Sequence, residues 1–159
     1  MLVIKKYMKK QYIVVLGVIL IAVVAMGIAF SKQQQAATDI ADESSVRTAV
    51  TQFGSNIQKV SLSAPDALNQ IANNYASYAS SSLISYWQNN RAFAPGKGIS
   101  GAWPDRIEVS AVTKINDTYV VDGNVIEVTN QELAKGGIAA QFPVKITFKK
   151  YGASWLMVG

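Results

Sequence analysis

Cysteine and histidine are both absent from the 159 residues. Without cysteine there is no disulfide, iron–sulfur ligation, thiol nucleophile or lipoprotein anchor. Without histidine there is no imidazole base and no imidazole metal ligand. Whole families of hydrolases, zinc enzymes and redox proteins are excluded at once. Charge is also sparse, at 16% of residues, and prolines number only 4. The length suits one ordinary domain and is too short for two catalytic ones.

One stretch carries no charge at all. Tyr12 to Phe30, YIVVLGVILIAVVAMGIAF, is 19 residues long. At a helical rise of about 1.5 Å per residue it matches a hydrocarbon core of roughly 30 Å, so it reads as a transmembrane helix. Lys5, Lys6, Lys9 and Lys10 precede it, and Asp39, Asp42 and Glu43 follow. The positive-inside rule then places residues 1–11 in the cytoplasm and everything after Phe30 outside, as a single-pass protein of the cell membrane. The competing reading is a cleaved signal peptide, for which Gly27-Ile28-Ala29 has the small-x-small form, but the apolar run exceeds an ordinary h-region.

The net charge of +5 divides at the same place. Those four lysines and Lys32 supply all of the excess, and residues 33–159 hold 10 basic against 10 acidic side chains. Nucleic-acid binding needs a basic face that displaces counterions, and this balance provides none. Membrane lipid is the partner of residues 1–30.

Residues 31–38, SKQQQAAT, read as a polar tether to a domain over 39–159. Val46, Val50, Phe53, Ile57 and Val60 then recur at intervals of four, three, four and three, one face of a helix. That stripe is read as one side of the core. As a coiled-coil seam it would be short, at about two heptads. Ser63-Ala64-Pro65-Asp66 begins a second helix with a side-chain cap and Leu68, Ile71, Tyr75 and Tyr78 on its apolar face. Ser80 to Ser82 interrupt or re-cap it, and Leu83, Ile84, Tyr86 and Trp87 mark a third short helix.

After Trp87 the period changes. Asn89 to Asp105 is a Gly/Pro-rich loop, followed by strands over 107–115 and 119–128 around an Asn116-Asp117-Thr118 turn. Ile138, Ala140, Phe142, Val144, Ile146 and Phe148 alternate as the inward face of a third strand, and 154–158 form a fourth. Pro143 implies a local bulge or edge position, and the parity change at Gly123 implies a bulge there. Helices first and antiparallel strands afterwards predict an α+β fold, about three helices packed on a curved four-stranded sheet.

Two passages, Arg106 to Asn130 and Phe142 to Gly159, together with this element order, resemble the NTF2-like superfamily. The resemblance spans roughly Ile40 to Gly159. With a membrane span in front, the chain looks like the extracytoplasmic scaffold subunits of type IV secretion and conjugation machines. The Asn-Pro-x-Gly turn of the Gram-negative scaffolds has only Ala94-Pro95-Gly96 as a counterpart. The likeness implies assembly with protein partners or a homo-oligomer; the alternative is a small-ligand-binding or isomerase-like domain of the same superfamily.

No catalytic, cofactor or metal site is legible in the residues. Gly96 to Gly101 spells G-x-G-x-x-G, but it follows a helix and precedes a strand, the reverse of a dinucleotide site. Asn116-Asp117-Thr118 is a formal glycosylation sequon that the turn already explains. Asp42, Glu43 and Asp66 lie near helix starts, where capping accounts for them. Trp103, with Phe93 and Lys97 in the same loop, is the candidate partner contact. Tyr75, Tyr78, Tyr86 and Trp87 are the candidate pocket lining, with core packing as the plainer alternative.

Overall fold

The structure is a computed structural model that describes residues 30–98 and 101–159 in full and residues 2–29 as backbone alone. The membrane span expected over Tyr12–Phe30 therefore lies, apart from Phe30, outside the residues whose side chains are described. Among the described residues no helix is long and apolar enough to cross a membrane. The chain divides into two compact units, Met1–Ala41 and Asp42–Gly159.

The first unit belongs to α1 (Leu2–Ile57), and residues 31–38, expected as a polar tether, are helical within it. The reason is local. Gln33 to Ala37 are good helix formers with no Gly or Pro among them. Side chains bond one turn away, Gln35 Nε2 to Asp39 Oδ1 at 2.9 Å and Thr38 Oγ1 to the Gln34 carbonyl at 3.0 Å.

The second unit is α+β. After the last part of α1 come α2 (Ala67–Tyr75), α3 (Ser81–Asn89) and a 3-10 turn at Arg91–Phe93. Then follow β1 (Trp103–Ile115), β2 (Thr118–Val128), α4 (Asn130–Lys135), β3 (Ala140–Tyr151) and β4 (Ser154–Met157). The strands form one antiparallel sheet in the order β1-β2-β3-β4. Val46, Val50, Phe53, Ile57 and Val60 are all buried, so the periodic stripe is core, as its spacing predicts. With Ile71, Tyr75, Trp87, Tyr119, Val121, Phe148, Trp155 and Met157 they make one hydrophobic cluster between the helices and the sheet.

Helix starts differ in detail from their sequence signals. Ser80 does cap α3, its hydroxyl accepting from the Leu83 N–H at 3.3 Å. At α2 the cap position is Asp66, with no side-chain cap bond; its carboxylate accepts instead from Gln70 Nε2 at 2.9 Å. Leu68 is 44% exposed, and Ala67, Ile71 and Tyr75 are the buried face of α2. The unpredicted α4 carries a full capping box, in which Thr129 and Glu132 satisfy each other's backbone N–H groups.

The sheet is bent where two backbones come together. The register shifts in β1 between Val109 and Ala111, opposite Gly123, so the extra residue lies in β1 and not in Gly123's own strand. A Cβ on Gly123 would stand 2.6 Å from the Glu108 carbonyl oxygen, which is why glycine faces the bulge. The parity change along β2 has another cause. Tyr119, Val121 and Val125 belong to the core, whereas Ile126 and Val128 are buried on the opposite face, at the end of β2 against which α4 packs.

In β3 the inward face holds only in part. Val144, Ile146 and Phe148 face the core, but Phe142 is 52% exposed and Ile138 precedes the strand. The alternation reports which face a residue takes, and the helical layer ends before it reaches Phe142. Pro143 produces no bulge: it pairs in regular register with Asn124, at a point where β4 does not reach.

Candidate functional site

The concave side of the sheet is filled from within. Phe53 stacks on Trp87 with ring centroids 6.2 Å apart and an interplanar angle of 9°, and Tyr75 meets both rings edge-on, at 5.0 Å and 5.6 Å. Such pairs contribute about 0.5–1.5 kcal/mol each beyond their burial. Farther along, Tyr119 meets Trp155 edge-on at 4.9 Å. The Tyr75 hydroxyl donates to the Pro95 carbonyl at 2.7 Å, and burial pushes its pKa up. It is therefore a fixed donor that stays protonated, tying α2 to the loop after the 3-10 turn.

Two spaces remain. A half-enclosed cavity of about 200 Å³ is lined by Phe53, Leu83, Trp87, Ile107, Val144 and Ile146, among others, with no Asp or Glu in its wall. A wider, open groove of about 590 Å³ runs along Ser44, Ser45, Thr48 and Gln52 of α1 to Tyr78, Ser154 and Trp155. The four aromatic residues expected to line a pocket thus separate. Trp87 borders the apolar cavity, Tyr78 borders the groove with its hydroxyl accepting from Asn56 Nδ2 at 3.2 Å, and Tyr75 is fully buried. Tyr86 lines neither space; it is half-exposed with its ring 6.4 Å from that of Phe93.

The expected partner contacts also separate. Phe93 is 70% exposed on the 3-10 turn. Lys97 is pinned through its backbone, its N–H donating to the Val60 carbonyl at 2.7 Å and its carbonyl accepting from the Leu62 N–H at 2.9 Å. Its ammonium lies 4.9 Å above the Trp103 ring. Trp103 itself is not a loop residue but the first residue of β1, paired with Val128 and half-buried. The segment around it is held at both ends.

Several carboxylates are committed to partners. Asp42 was assigned to helix capping, but it sits within α1 and reaches across the fold. Its carboxylate accepts from Lys150 Nζ at 2.9 Å and from Trp155 Nε1 at 3.0 Å, and these bonds hold its pKa below the usual carboxylate value. Sequence separation hid this contact; an acid one turn before an apolar stripe is the signal that was available. Arg106 bonds Glu108 and Asp105, which keep its guanidinium charged, and Lys145 pairs with Asp122. Bonds from the Thr129 hydroxyl and N–H lower the pKa of Glu132. Among the described residues no three acidic side chains gather as a metal-binding group would.

No family model and no curated protein matches the chain. Among solved structures it is similar to a designed NTF2 protein at 11% sequence identity, over 76% of this chain and 94% of that one, with a TM-score of 0.36.

Proposed function

We propose that this chain is a membrane-anchored scaffold or interaction subunit, with an NTF2-like domain outside the cell membrane that works by binding other proteins. The observation that carries this reading is the filling of the space between the helices and the sheet. A ligand-binding or isomerase-like relative needs a hollow interior with a polar group aimed into it. Here Phe53, Tyr75 and Trp87 occupy that interior, and the apolar cavity beside them is about 200 Å³, below the roughly 300 Å³ at which ordinary ligand pockets begin. Asp42 and Glu132, the acids with shifted pKa values, are shifted downward, the wrong direction for a general base near neutral pH.

Anchoring rests on the uncharged run from Tyr12 to Phe30 and the lysines before it. A membrane anchor confines the domain to a surface, where partners reach high effective concentration and weak contacts suffice to hold an assembly. Within this reading, a place in a type IV secretion or conjugation complex follows from the order of the span and the α+β head. In-cell crosslinking of the full chain, followed by identification of what is captured, tests it. Other envelope subunits captured at defined positions support the scaffold. A chain that crosslinks to nothing, or turnover of a small substrate abolished by one acid-to-amide change, refutes it.

A further inference from the structure

The open groove of about 590 Å³ lies wholly within Asp42–Gly159 and has three walls. Ser44 and Gln52 come from α1, Ser77 and Tyr78 from the link between α2 and α3, and Ser154 and Trp155 from the start of β4. The walls are tied to one another. The Tyr78 carbonyl accepts from the Met157 N–H at 2.8 Å, which joins the link to β4, and Trp155 Nε1 donates to Asp42 of α1 at 3.0 Å. The volume falls in the roughly 300–1,000 Å³ range of small-molecule sites.

The polar groups that border this space are uncharged and unspent. Gln52 gives only its backbone carbonyl to Ser55 and Asn56, and the hydroxyls of Ser44, Ser77 and Ser154 bond nothing among the described residues. Tyr78 is more constrained. Asn56 Nδ2 has two hydrogens, one donated to the Gln52 carbonyl at 2.8 Å and the other to the Tyr78 hydroxyl at 3.2 Å. The Tyr78 oxygen is therefore already an acceptor, and its own hydrogen has no acceptor among the described residues. A half-buried donor is thus held in place on the groove wall with its hydrogen to give.

The chemistry of the walls selects the ligand. No charged residue is among those that line the groove, and the charges nearby are neutralised in pairs, Glu43 with Arg47 and Asp42 with Lys150, each at 2.9 Å. A phosphate or carboxylate finds no cation there. A peptide finds no free backbone row at this wall, because Met157 bonds Tyr78 through its N–H and Ser80 through its carbonyl. Nor is there a pocket for a large side chain: the apolar wall is Ala49 and Ala153 beside the Tyr78 and Trp155 rings. Serine hydroxyls and a glutamine amide each donate and accept, which matches a ligand whose own groups do both and whose ring C–H faces lie against aromatic surface.

We propose that this groove binds a neutral oligosaccharide, with the Gln52 amide and the Tyr78 hydroxyl as its fixed polar contacts. The proposal goes beyond the scaffold reading and does not rest on it, since the groove lies outside the filled interior. A sugar chain held there would fix the domain against a glycan while other surfaces meet proteins.

The test is calorimetric titration of the full chain in phosphatidylcholine nanodiscs, which carry no sugar. The probes are cellotriose and tri-N-acetylchitotriose, with trigalacturonic acid and a blocked Ser-Ala-Ser-Ala-Ser peptide as comparators. At least one neutral trisaccharide should bind with a dissociation constant at or below about 1 mM, and both comparators should bind at least tenfold more weakly. Gln52→Ala and Tyr78→Phe should each weaken binding about two- to tenfold, the loss of one neutral hydrogen bond, and together by more than about tenfold. Ser110→Ala, on β1 outside the groove, should change nothing. Gln52 is exposed on a helix and Tyr78→Phe keeps the ring, so both variants retain the fold, which unfolding curves verify. Failure of both neutral trisaccharides to bind, equal binding of the acidic sugar or the peptide, or binding unchanged in the double variant would overturn the proposal. Sugar binding by a chain that captures no envelope subunit in cells would keep the groove and remove the scaffold; capture without sugar binding would do the reverse.

Discussion

Gly54 lies in the last turn of α1 (Leu2–Ile57), where replacing glycine by alanine ordinarily stabilises a helix by up to about 1 kcal/mol. In this fold the substitution should do the opposite. A Cβ built on Gly54 stands 2.6 Å from the Ile107 backbone nitrogen and 3.2 Å from the Ile107 Cβ, where ordinary contact begins at 3.4 Å. Ile107 cannot turn aside, because its nitrogen belongs to β1 and its partner is Val125 of β2. The helix must therefore rise off the strand, loosening Phe53 and Ile57, which are buried on either side. Overpacking a close-packed contact costs about 1–3 kcal/mol, so with the propensity gain subtracted Gly54→Ala should lose up to about 2 kcal/mol and gain nothing. Denaturant unfolding of the full chain measures this. Gly98→Ala, where an added Cβ meets nothing within 4 Å, is the control. A Gly54→Ala variant that gains stability by the helix-propensity amount would refute the close approach of α1 to β1 and the core built on it.

The remaining expectations concern charge, capping and the inward face of β3. Asp42 has its pKa lowered by bonds from Lys150 and Trp155, so its contribution is present above its unfolded pKa near the usual 3.8 and is lost as pH falls through the lower folded value. Thermal melts from pH 6 to pH 2 should show the gap between wild type and Asp42→Asn closing in that acid range. Ile146→Asp should unfold the domain by placing an unpaired charge in the core, whereas Phe142→Asp should change stability by no more than about 0.5 kcal/mol, read by the same unfolding curves. Thr129→Ala removes a cap worth about 1 kcal/mol from α4, and amide exchange should quicken in Asn130–Lys135 while the core strands keep their protection.

Periodicity was enough to identify the stripe from Val46 to Val60, the cap at Ser80, the hairpin at Asn116-Asp117 and the α+β order, because each depends on neighbours within one turn or one strand pair. The sequence also contained the signal for α4, Thr129-x-x-Glu132 followed by Gly136, and its shortness concealed it among strands. What local pattern could not decide was how far the helical layer extends over the sheet. That extent separates buried Ile146 from exposed Phe142 in one unbroken alternation, and buried Tyr75 from half-exposed Tyr86 in adjoining helices. Nor could it decide the bulge. The glycine is in β2 but the extra residue is in β1, because the close approach is a property of two strands together. Asp42 meeting Lys150 and Trp155 likewise exists only once distant segments are brought together. Composition and spacing determine which elements form and which face each one buries; the lengths and crossing of those elements in space determine where burial stops.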